Sequence, residues 1–184
     1  MPYIQATGTT VATAIPAELR ASLLKQLGDE MKGPGTPGGP AIFEIPVDGP
    51  KKFDVLVVWQ EWQNMRSEDR TNIILEAYGE RRDRIVRAVG ATYDEALQEQ
   101  LLPYAIVSTV QENDKARRLM TPTPEKAQEF LERIRKVMLE EGGIRLPNGR
   151  VELRFPTRAM ADRALERLHE KCLDGYWSPV FTPQ

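Results

Sequence analysis

Between Phe53 and Trp62 the chain reads FDVLVVWQEW. Successive side chains of a strand point to opposite faces, so Phe53, Val55, Val57 and Trp59 share one face, and Leu56, Val58 and Trp62 the other. A strand with one wet face alternates apolar and polar residues. This one is apolar on both sides, so it is expected in the middle of a sheet, covered above and below. That requirement limits the fold: helices must pack on both faces, or a second copy of the chain must supply part of the cover.

The flanking segments supply the cover. Pro16 suits a first helical position, and Leu19, Leu23, Leu24, Leu27 and Met31 recur at three- and four-residue steps, which predicts an amphipathic helix over 16–32. GPGTPGGP at 33–40 ends it in a loop. AIFEIPV follows as a strand with Phe43, Ile45 and Val47 on one face and Glu44 on the other; Pro46 puts it at an edge or near its end. DGP at 48–50 turns the chain into the central strand. After that strand, Ser67 is expected to cap a helix over 68–89, with Glu68 and Asp69 at its positive end and Ile74, Tyr78, Ile85 and Val89 along one stripe. Gly79 weakens that helix, and Gly90 can close it. TYDE at 92–95 has the form of a capping box and opens a short helix to Leu101. YAIVSTV at 104–110 is β-branched and reads as a strand.

A polar stretch, 111–123, is read as a linker. Thr123 and Pro124 start a helix striped by Ala127, Phe130, Leu131, Ile134, Val137 and Met138. IRLPNGRVELRF predicts a hairpin with Asn148–Gly149 at the turn and Ile144, Leu146, Val151, Leu153 and Phe155 on one face. Thr157 is expected to cap a helix to about 171, and YWSPVF at 176–181 to be a last edge strand. The fold class is therefore α+β, with mostly antiparallel sheets and packed helices. Residues 1–15 are read as a loosely ordered segment, 16–110 and 124–184 as two successive helix–strand–strand–helix–strand units. The shared order of the units, and the similar IPVDG and LPNG turns, can be read as an old duplication.

Composition narrows the function classes. With 184 residues, 41% hydrophobic and 28% charged, the chain suits a soluble globule of one sizeable domain or two small ones. The net charge of −2 offers no general attraction to nucleic acid or anionic membranes. Cys172 is the sole cysteine, so no internal disulfide or thiolate-rich zinc site can form. It continues a helical stripe and reads as a small core residue, while His169, the sole histidine, stands at the edge of that stripe. The N-terminus lacks the pattern of a secretory signal, and the apolar run VLVVW is far short of a membrane span. The expected location is the cytoplasm. There is no phosphate-cradling glycine loop after a strand, no metal-ligand spacing and no nucleophile elbow.

Three groups of residues can still carry chemistry. Glu61, Trp62, Arg66 and Asp69 crowd the passage from the central strand into the next helix. They can wall a polar pocket, but capping and core packing account for the same residues. Arg81 and Arg82 fall on the apolar stripe if that helix is continuous, and would then need a carboxylate such as Glu44 or Glu61; if Gly79 breaks the helix, both enter water. Arg145, Arg150, Arg154 and Arg158 can line an exposed basic face, interrupted by Glu152. The leading expectation is a non-enzymatic cytoplasmic protein that binds another macromolecule or itself, as a homodimer, with no cofactor and no metal. One alternative is a small hydrolase or transferase built on Glu61, Trp62, Arg66, Asp69 and Arg82. The other is a phosphate or nucleic-acid binder using the Arg145–Arg158 face, although a near-neutral chain makes nucleic acid an improbable partner.

Overall fold

The ribbon FDVLVV forms the middle strand of a three-stranded sheet in the computed structural model, which describes residues 15–33, 38–47, 49, 51–112, 124–172 and 177–183. Strand β1 (Ala41–Pro46) pairs antiparallel with β2 (Phe53–Val58), and β3 (Ile85–Ala91) pairs parallel with β2 on its other side. The two faces of β2 are covered from within the chain. Phe53, Val55 and Val57 pack with Leu23 and Leu27 of helix α1 (Ala17–Glu30) and with Ile73 and Ile74 of α2 (Ser67–Ala77). Leu56 and Val58 pack with Ala91, Ala96 and Leu102, beneath the short α3 (Tyr93–Gln98). No second copy is required to shield the strand.

The first unit departs from expectation downstream of β2. The strand ends at Val58; Trp59 stays extended, and Gln60–Trp62 form one 3-10 turn. That turn rotates Trp62 back under the sheet. The two indoles therefore do not mark opposite faces: their rings meet edge to face, 5.3 Å apart, in the same core cluster. The cap position of α2 falls on Arg66 rather than Ser67. The helix expected over 68–89 stops at Ala77. Gly79 takes φ +51, residues 79–84 form a 3-10 segment, and Ile85–Ala91 is a strand. A left-handed φ suits glycine and breaks the α-helical path. The β-branched residues beyond it then gain more by pairing with β2 than by continuing the helix.

The outer edge of β3 is closed by side chains. Ala91 O accepts from Trp59 N on the β2 side, so the carbonyls of Ala88 and Gly90 point the other way. Thr71 Oγ1 donates to the first at 3.2 Å and Arg70 Nη1 to the second at 3.1 Å. Helix α2 thus occupies acceptors that would otherwise invite an added strand.

The second sheet has the order β5-β6-β4-β7, all antiparallel, built from β4 (Tyr104–Glu112), β5 (Ile144–Arg145), β6 (Val151–Phe155) and β7 (Trp177–Pro183). Helices α4 (Pro124–Glu140) and α5 (Arg158–Cys172) cover one face through Phe130, Ile134, Met138, Ala164 and Leu168. The α+β class with mostly antiparallel sheets holds. However, β4, which precedes residue 113 in the chain, lies inside the second sheet, so the two sets of elements do not share a strand order. Residues 1–14, residues 113–123 of the expected linker and the Cys172 side chain lie outside the described residues.

The hairpin differs in register from expectation. Ile144 pairs with Glu152 and Arg145 with Val151. Pro147, Asn148 and Gly149 make a three-residue loop, with Gly149 at φ +79 and Gly149 N donating to Leu146 O. A loop one residue longer than the Asn-Gly pair exchanges the faces of β5. Ile144 is accordingly exposed, and shares a face with Glu152 instead of Val151.

Candidate functional site

A cleft of about 730 Å³ opens between the two sheets. One wall comes from the first unit: Ile42 and Phe43 of β1, Val58, Trp59, and Tyr93 at the start of α3. The opposite wall comes from β6, with Leu153, Arg154 and Phe155, and from the end of α4. Phe43 and Phe155 meet edge to face across the junction, with centroids 6.3 Å apart. Local sequence explains the placement. In β1 alternation gives the Leu56 side of the sheet to Phe43, its register partner. In β6 it puts Glu152 and Arg154 on the face away from α4 and α5.

Glu152 and Arg154 form an ion pair at 3.0 Å, and both side chains are only 11% exposed. The Tyr93 hydroxyl lies buried beside them, within reach of the Arg154 guanidinium. Burial, and then the Glu152 carboxylate, push its pKa up; the Arg154 guanidinium opposes them.

The residues singled out in the sequence lie elsewhere. None of Glu61, Trp62, Arg66, Asp69, Arg81 or Arg82 lines the cleft. Trp62 is 0% exposed and donates its Nε1–H to Val57 O at 3.2 Å. It is a core plug, not a pocket wall. Arg66 bonds Asp69 within the first turn of α2, at 2.8 Å. Glu61 and Arg82 are exposed, Arg82 because the chain leaves the helix before reaching it. Arg81, although the helix breaks at Gly79 and its side chain is half-exposed, still pairs with Glu44 at 2.7 Å and lies over the Phe53 and Tyr78 rings. The Tyr78 hydroxyl donates to the same carboxylate at 3.1 Å. Its desolvation, reinforced by Glu44, pushes its pKa up.

The four hairpin arginines do not form one face. Arg154 is withdrawn into the cleft ion pair, Arg145 shares the opposite face with Val151, Arg150 is exposed at the loop, and Arg158 pairs with Asp162 at 3.6 Å. The one-residue register change separates Arg145 from Arg154.

The sequence reading passed over a second buried charge. Arg70 is inside the protein, donating to Met65 O at 2.8 Å, to Gly90 O at 3.1 Å and to both carboxylate oxygens of Glu95. Glu95 also closes the capping box by accepting from Thr92 N at 2.8 Å. Hydrogen bonds from Arg70 lead the forces that hold its carboxyl at about 2. The capping-box signal marked Glu95, but nothing local marked Arg70 as its partner.

Among the described residues no group of three His, Cys, Asp or Glu side chains is placed to hold a metal ion, and no helix is long and apolar enough to cross a membrane. Compared with family models, curated proteins and solved structures, the chain matches none of them.

Proposed function

We propose that the protein is a non-enzymatic, cytoplasmic binding protein whose ligand sits in the cleft between its two sheets. The observation that carries this reading is the makeup of that cleft. It has apolar walls from both units, a few polar groups in fixed positions and a volume suited to a small ligand or a short segment of a partner. The Tyr93 hydroxyl, Glu152 and Arg154 are polar groups set among those apolar walls. The titratable residues around Glu61 and Arg82 are dispersed or tied in local pairs, which favours binding over hydrolysis or group transfer. A single cysteine in the whole chain suits a reducing compartment.

The test is a screen of small amphipathic compounds by ligand-observed NMR, against the protein and an Ala41→Trp variant. Ala41 is an exposed cleft residue on β1, where an indole can block the mouth without entering the core. Compounds that bind the protein should lose binding to the variant while its melting temperature stays unchanged. Binding that persists in the variant, or no binding at all, overturns the proposal.

A further inference from the structure

We infer that the cleft, if it is the binding site proposed above, takes an extended segment of another protein, which adds to the free edge of β1 as a further strand. The hydrogen-bonding groups of an antiparallel strand point alternately towards its partner and away from it. Val47 N donates to Lys52 O at 3.3 Å, and the pairing of β1 with β2 then runs without a bulge from Pro46–Phe53 to Ala41–Val58. Ile45, Phe43 and Ala41 therefore bond to β2, and the N–H and C=O groups of Ile42 and Glu44 project the other way. Among the described residues no loop bonds to those groups, and the bonds Glu44 makes to Tyr78 and Arg81 use its carboxylate. The opposite edge of the same sheet is closed, since Thr71 and Arg70 occupy the outward carbonyls of β3. A row of unpaired strand groups is the complement of another extended backbone.

The cleft reaches this open edge. Ile42 packs with the α1 and α2 core, and Phe43 packs on the opposite face with Leu56, yet both line the cleft, as do Glu30 at the end of α1 and Tyr93 on the far face. A cavity that touches both faces of an edge strand passes around its rim, where the Ile42 groups lie. Its far wall holds Ile144, one of the few large apolar side chains left exposed among the described residues, at 38%. An added strand sends alternate side chains to each face of a sheet. Those on one face would meet Phe43, Phe155 and Ile144, which favours a segment with an apolar residue at every second position. Its ladder is short: Pro40 precedes β1 and Pro46 takes the next outward position, and neither has an N–H to offer. That shortness argues against a second copy. Two β1 edges would share about four main-chain bonds, against roughly ten in a stable interface. A recess of about 730 Å³ admits a few residues of one chain, not the edge of a folded sheet.

The experiment selects heptapeptides from a random phage-displayed library on the full chain and on Ala41→Trp, then follows amide hydrogen exchange by NMR with the best synthetic peptide. Peptides with apolar residues at alternate positions should be enriched on the natural protein alone. At saturation the peptide should slow exchange of the Ile42 and Glu44 amides about tenfold or more, because each gains a hydrogen bond. The same peptide N-methylated throughout should bind about tenfold weaker or more, having lost its main-chain donors. Binding that Ala41→Trp blocks, without slowing of those two amides, would leave the cleft a binding site and overturn the added strand alone. So would small compounds that bind in the cleft when no peptide is selected. Slow exchange of both amides before peptide is added also overturns it: a rate that rises on dilution would give the edge to a second copy, and one that rises on deleting residues 1–14 to the chain's own first segment. Peptide binding that survives Ala41→Trp, or failure of peptides and small compounds alike, overturns both this inference and the cleft as the site.

Discussion

The Arg70 guanidinium is 8% exposed, while its partner carboxylate on Glu95 is 41% exposed. The pair joins α2 to the end of β3 and the start of α3. Glu95→Gln keeps the shape but leaves a buried cation on a neutral acceptor. Its expected cost is about 1 kcal/mol, below the usual range for a charged hydrogen bond, because water already screens the exposed partner. Chemical denaturation of the two proteins at neutral pH measures it. The same pair sets a pH dependence. The folded carboxyl titrates at about 2, against an ordinary value of 4.5. A depressed folded value stabilises the protein above the unfolded pKa, and that contribution is lost as pH falls from about 4.5 towards 2. Denaturation midpoints across this window should fall more steeply for the natural protein than for Glu95→Gln. Parallel profiles would show that the pair does not hold in solution.

At the scale of elements, the passage from α2 to β3 depends on one close approach. A Cβ at Gly90 would stand 2.8 Å from Arg70 Cβ and 3.3 Å from both Ile74 Cδ1 and Trp62 Cε2. Gly90→Ala must push the helix off the strand, and is expected to destabilise by about 2 kcal/mol, in the range of overpacked cores. Equilibrium urea unfolding checks this, and a neutral effect would mean that α2 does not lie against β3. The sequence suggested Gly90 as a helix terminator, because Ile74, Tyr78, Ile85 and Val89 keep a helical spacing. That spacing is also compatible with a helix followed by a strand, and the choice rests on a partner strand some thirty residues earlier in the chain, Phe53 beside Ile85. By contrast, the capping box at Thr92–Glu95 was legible, since all its bonds lie within four residues. The hairpin was legible in place but not in register, because both loop lengths suit Pro-Asn-Gly.

At the scale of the molecule, the Phe43–Phe155 pair joins the two sheets. A double-mutant cycle of Phe43→Leu and Phe155→Leu should give a coupling of about 1 kcal/mol, as edge-to-face aromatic pairs do. Additive effects would place the sheets apart and dissolve the cleft. None of this site was visible in the sequence as a site. Its walls come from residues 42–59, 93 and 140–155, and each local signal had a sufficient local explanation.

What the chain determined by itself was local and periodic. A ribbon apolar on both faces had to be central and covered, and β2 is, with Val57 at 0% exposure. The α+β class, the capping box and the hairpin's position follow from spacings of a few residues. The tertiary structure alone decided that β3 is a strand, that β4 joins the second sheet, that Arg154 turns inward, and that two helix ends meet at one cleft. Those outcomes depend on pairings between distant segments, whose free energy comes from burial and register that no window of sequence contains.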